Sequence, residues 1–222
     1  ALTVFQKLNM GGGGNGIAGG DHIGIQHIGR RHLHGCGGNN GIQFLFGCEA
    51  DMNKDDLLGL TEESAAMFDY VLVSTAHFHM KGFTIEKGTP VEIARKAIEV
   101  PFISGIAHPF LPMGYVEERK ELLSGMTDNE LIACFKAVAE AKKSVEINFN
   151  YFAEKYACLE ETERIYTLAR EQGCSFHFGS DCHCATTLSL RFDSAEECNA
   201  FAEKCGITED RFIPLETLGT RG

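Results

Sequence analysis

The chain has 222 residues, 44% of them apolar, which is enough for one full core, and a formal net charge of −11. That charge argues against a nucleic-acid or anionic-membrane surface, since both need a dense basic patch to displace counterions. Nine cysteines without paired CxxC spacing point to reduced thiols in a cytoplasmic protein, and no apolar run reaches membrane-spanning length.

Residues 1–41 carry more than half of the 25 glycines, together with His22, His27, His32 and His34. Repeated glycine raises the cost of ordering, so this part reads as weakly patterned. Gly11 to Gly16 matches G-x-G-x-x-G, but more glycine follows where a helix is needed and Arg30-Arg31 stand where an acid should be, which rejects a nucleotide loop. From Ile42 onward short apolar runs alternate with amphipathic segments. Strands are predicted at Ile42–Phe46, Tyr70–Thr75, Phe102–Ala107, Val145–Phe149 and Cys174–Phe178. Between them, Thr89-Pro90 opens a helix, and Thr127 to Glu130 forms a capping box before Leu131, Phe135 and Val138. Two more helices end at Gly173 and Gly206, each suited to a left-handed cap. Strands alternating with helices of this length give βα units, a parallel sheet and an α/β fold, here as a single domain over residues 1–222.

Metal-capable side chains follow four of the five predicted strands: Glu49, His77 with His79, His108, and Asp181 with His183. Parallel strands bring their C-terminal ends to one face, so residues scattered in sequence would converge there. The remaining strand carries Glu146 and Asn148 inside a buried pattern. Glu146 reads as an acceptor orienting a ligand histidine, and Asn148 as a structural or substrate hydrogen-bonder. Mixed imidazole and carboxylate donors suit Zn, Mn or Fe better than Mg. A carboxylate such as Glu49 can bridge two ions, and an ion pair of that kind can hold a hydroxide near neutral pH and clamp a displacement at phosphorus.

Phe46-Gly47-Cys48-Glu49, Ser74-Thr75-Ala76-His77-Phe78, Ile106-Ala107-His108-Pro109, Val145-Glu146-Ile147-Asn148 and Gly179-Ser180-Asp181-Cys182-His183 together resemble the PHP (polymerase and histidinol phosphatase) family, especially its stand-alone phosphoesterases. Thr208 to Ile213 also looks like the family's last element. The resemblance implies a distorted seven-stranded TIM-like barrel, two or three divalent metal ions, and hydrolysis of a small phosphorylated substrate by a metal-bound hydroxide. It further implies that Glu49 bridges two ions, His77 and His108 hold the second, Asp181 binds the first, and His183 and His27 bind the third. Glu49 and Asp181 would carry catalysis, and Arg191 is the residue backed to bind substrate phosphate. The chain departs from the family at its start. Val4 to Asn9 stands where the family has an Asp-x-His-x-His strand, with Lys7 and Asn9 at the histidine positions.

Each motif has a plainer reading. Asp181 could cap a helix, His108-Pro109 could end a strand, Glu49 could be a solvated loop acid, and Cys182 and Cys184 read as small fillers. The rival functions are a catalytically silent PHP-like scaffold binding metal or a partner, and a metal-dependent nuclease, which the acidic surface disfavours. No membrane association is expected, and assembly into a homo-oligomer stays open.

Overall fold

The computed structural model describes residues 6–9, 46–52, 58–75, 89–110, 119–148, 159–180 and 195–213. Six strands, β1 (Gln6–Asn9), β2 (Phe46–Asp51), β3 (Tyr70–Ser74), β4 (Gly105–Ala107), β5 (Ser144–Asn148) and β6 (Ser175–Gly179), form one sheet in sequence order. Every neighbouring pair is parallel. Helices α1 (Glu62–Ala65), α2 (Thr89–Ile98), α3 (Arg119–Gly125), α4 (Asp128–Glu140), α5 (Leu159–Glu171) and α6 (Ala195–Lys204) lie between or after the strands. Among the described residues no helix is long and apolar enough to cross a membrane.

The helix signals act as the sequence implied. Thr127 Oγ1 accepts from the Glu130 N–H at 3.3 Å, and the Thr127 N–H donates to Glu130 Oε2 at 2.9 Å, which completes the capping box of α4. Helix α5 stops before Gly173 at φ +84°, and α6 before Gly206 at φ +70°.

Register partners in a parallel ladder share a face, and side chains alternate along each strand. One face therefore carries Cys48, Ala50, Val71, Val73, Ile106, Val145, Ile147 and Phe176, all buried in the main core with residues of α2, α4, α5 and α6. The other face carries Glu49, Tyr70, Leu72, Ser74, Ala107, Ser144, Glu146, Asn148 and His177, which are also buried yet mostly polar. This second face is concave. Ile213 donates its N–H to the Phe176 carbonyl on β6 at 2.9 Å and still packs against Tyr70, Leu72 and Ala107 of β3 and β4. A flat sheet would keep these apart, so the sheet curls until its β6 end faces β3.

Some expectations are refined by the structure. Six strands lie among the described residues, and the expected seventh is not among them. Beyond β6, Phe212 makes a single parallel bridge to Phe176, and no ladder joins β6 to β1 among the described residues. The described strand nearest the predicted Ile42–Phe46 begins at Phe46 and runs to Asp51, so Glu49 sits within a strand rather than after one. Gly47 is tolerated there because the Tyr70 ring fills its place: a Cβ on Gly47 would lie 2.0 Å from the ring carbon Cζ. The predicted Phe102–Ala107 strand shortens to β4. Lys143 Nζ donates to the Val100 carbonyl at 2.9 Å and to the Ile103 carbonyl at 2.5 Å, so those groups are satisfied by a side chain instead of a ladder. Strand β1, too short and polar to stand out by pattern, was not predicted. Its register places Lys7 beside Gly47 and Asn9 beside Glu49.

Candidate metal centre

Two of the residues singled out by pattern meet on the concave face. Strands β2 and β4 are separated by β3, so their axes lie two strand spacings apart, roughly 9–10 Å. Long side chains close that gap. Glu49 Oε1 and His108 Nε2 are 3.0 Å apart, with the two side chains 3% and 0% exposed. As a hydrogen bond, Nε2–H donates to the carboxylate. A polar contact this far from water is stabilised only when its geometry is good.

The chemistry of this pair fits a transition-type divalent ion. An imidazole nitrogen beside a carboxylate oxygen is the donor mixture that Zn, Mn and Fe accept. Among the described residues no group of three or more His, Cys, Asp or Glu could hold a metal ion. Glu49 and His108 are thus two members of the expected set. His27, His77, Asp181, His183 and Arg191 lie outside the described residues. Strand β3 ends at Ser74, shortly before His77 in sequence, and β6 ends at Gly179, shortly before Asp181 and His183. These are the same, C-terminal, ends of the sheet as the one from which His108 leaves β4.

His108 is held by its main chain as much as by its ring. It has φ +26° and Phe110 has φ +61°, a left-handed backbone that costs of order 1–3 kcal/mol per non-glycine residue unless neighbours enforce it. Two neighbours do so. The Phe110 N–H donates to Thr75 Oγ1 at 3.1 Å, and the His108 N–H donates to Glu146 Oε2 at 2.5 Å. Asn148 Nδ2 donates to the same Glu146 oxygen at 3.1 Å, and the Tyr166 hydroxyl donates to the Glu146 carbonyl. Glu146 was expected to orient a ligand histidine, and it does reach His108, through the backbone amide rather than the ring.

Around this cluster, Tyr70 is buried, and burial together with the nearby Glu146 carboxylate pushes its hydroxyl well above the usual tyrosine range. It stays a protonated donor inside the curl. Pattern reading missed Tyr70 as part of this layer; the available signal was a glycine, Gly47, in the neighbouring strand. His177, read as a packed core histidine, is buried on the same face as the register partner of Glu146. The described cysteines Cys48, Cys134, Cys174, Cys198 and Cys205 are buried free thiols. Burial pushes Cys48 and Cys205 up to about 11 and Cys134 and Cys174 up to about 12, which keeps them protonated and poor ligands.

No protein-family model matches the chain, and no curated protein matches it in sequence. Among solved structures, it is similar to a histidinol phosphate phosphatase from Lactococcus lactis subsp. lactis, crystallised with zinc, L-histidinol and phosphate. The TM-score is 0.50 at 15% identity, covering 76% of this chain and 69% of that one. At that identity the likeness concerns the fold.

Proposed function

We propose that this chain is a metal-dependent phosphoesterase acting on a small phosphomonoester, of the kind the resemblance to histidinol phosphatases implies. The observation that carries the reading is the buried 3.0 Å pairing of Glu49 with His108, residues far apart in sequence that the family pattern had singled out independently. The fold likeness to a zinc-containing phosphatase supports it. In this reading Glu49, His77, His108, Asp181, His183 and His27 hold two or three divalent ions, and Arg191 binds the substrate phosphate.

Bound divalent ions supply Lewis-acid stabilisation of phosphoryl oxygens and a water that ionises near neutral pH. The protein's part is to keep the donors in the right state and place. Glu49 contributes negative charge from within β2, where the strand backbone restrains it. His108 presents Nε2 toward Glu49 from a backbone locked by Thr75 and Glu146. Because an imidazole binds a cation only when neutral, ion affinity should weaken as pH falls through the histidine range.

The test is metal content by elemental analysis together with hydrolysis of p-nitrophenyl phosphate and histidinol phosphate. Two or three ions per chain and turnover abolished in Asp181→Ala are the expected results; unchanged turnover in that variant would remove the proposed site. A second reading, a catalytically silent scaffold, draws on one observation: β1 brings Asn9, not a histidine, into register with Glu49, and Lys7 into register with Gly47. One bound ion or none, with no turnover, would favour it.

A further inference from the structure

We infer that Glu146 is the positioning residue of this centre, a buried spacer that sets the His108 backbone and the separation between the ends of β4 and β6. The inference deepens the metal-centre reading above. Glu146 is 2% exposed, and it occupies the middle of β5, between β4, which ends at Ala107 just before His108, and β6, which ends at Gly179. One oxygen, Oε2, takes the His108 N–H at 2.5 Å and Asn148 Nδ2 at 3.1 Å. A charged acceptor makes both bonds stronger than a neutral one would. The first of them fastens a residue whose φ of +26° few side chains tolerate, so the carboxylate is what makes that conformation tenable.

The other oxygen works against β6. A Cβ built on Gly179 would lie 1.6 Å from Glu146 Oε1 and 2.4 Å from its Cδ. Gly179 therefore lacks a side chain because the Glu146 carboxylate lies against its Cα. The same carboxyl group thus touches the last residue of β6 with one oxygen and the first residue beyond β4 with the other. The Tyr166 hydroxyl pins the Glu146 carbonyl from α5, which limits how far this spacer can slide along its strand. The spacing between the end of β6 and the residue that follows β4 is thereby set by this one carboxylate. Glu146 acts through His108 and Gly179.

A double-mutant cycle tests the geometry without any metal. Gly179→Ala alone should lower Tm by roughly 2–12 °C, the effect of overpacking by 1–3 kcal/mol in a chain of this size. In an Glu146→Ala background, where the obstructing oxygen is gone, the same glycine change should lower Tm by less than about 2 °C. Additive losses would overturn the inference. The second readout is the His108 amide proton by NMR, expected downfield in the parent, shifted upfield in Glu146→Ala, and largely restored in Glu146→Gln, whose carbonyl can still accept. An amide indifferent to Glu146→Ala would also overturn it. If Glu146→Ala fails to fold, the parent and Gly179→Ala decide: a His108 amide at an ordinary shift in the parent, or a Gly179→Ala protein with unchanged Tm, refutes the spacer. Cobalt titration of the parent separates the two readings. Absence of cobalt binding would sink the metal centre while the thermal cycle and the amide shift still judge Glu146.

Discussion

The two faces of the sheet are equally dry and chemically opposite. The helix-covered face holds Val71, Val73, Ile106, Ile147 and Phe176, each between 0% and 5% exposed, and the concave face holds Glu49, Ser144, Glu146, Asn148 and His177 in the same range. Parallel strands buried on both sides ordinarily read as continuous apolar runs. Burying polar groups instead costs free energy unless they find partners, and here Glu49 meets His108, Glu146 takes Asn148 and the His108 N–H, and Ser144 donates to the Ser104 carbonyl. The difference teaches that stability and chemistry are divided between faces: one excludes water by packing, the other by a network whose members lie on different strands.

That division can be broken from either side. The largest effect is expected on the packed face. Phe176→Ala removes a fully buried ring that contacts Tyr166 and Phe212, and should cost about 3–5 kcal/mol in denaturant unfolding. On the concave face His108→Ala should act mainly on function. Ion affinity by calorimetry should fall by at least about 10²-fold, the upper range seen when even an indirect partner of a metal ligand is lost. If the metal reading is wrong, the same variant shows only the destabilisation of losing this buried contact. A smaller loss, about 1 kcal/mol in thermal unfolding, is expected for Thr127→Ala, which deletes the α4 cap and touches neither face.

Alkaline titration gives the gentlest probe. The buried thiols keep their protons to about 11 or 12, above the ordinary value of 9.0. Above about pH 9 an unfolded chain would release those protons while the folded one retains them. Their contribution to stability is therefore complete below pH 9 and is lost as pH rises toward 11–12. Denaturant midpoints measured across that range should decline. Thiol reagents at pH 8 should leave Cys48, Cys134, Cys174 and Cys205 unmodified until the protein unfolds, whereas rapid native-state labelling would contradict their burial.

Much of the architecture was legible in the order of residues. Apolar runs at β3, β5 and β6, the capping box at Thr127, and the closing glycines Gly173 and Gly206 act locally, so their signals survive without knowledge of the rest of the chain. Glu49 and His108 were readable as metal-capable residues near strand ends for the same reason. Strand β1 was not legible, because four residues of mixed polarity become a strand only when β2 supplies a partner. The end of β2 was placed too early, at Phe46 rather than Asp51, since Gly47 reads as a breaker until Tyr70 is seen above it.

The sequence alone determined the alternation of strands and helices, the helix ends, the net negative charge and the types of donor available to a metal centre. Each follows from local propensity, periodicity or charge. Only the tertiary structure decided that Glu49 reaches over β3 to His108, that Glu146 grips the His108 main chain instead of its ring, and that Gly179 is small because Glu146 lies against it. Those contacts depend on ladder register and on the curl of the sheet, which arise from all six strands together and are written in no single one of them.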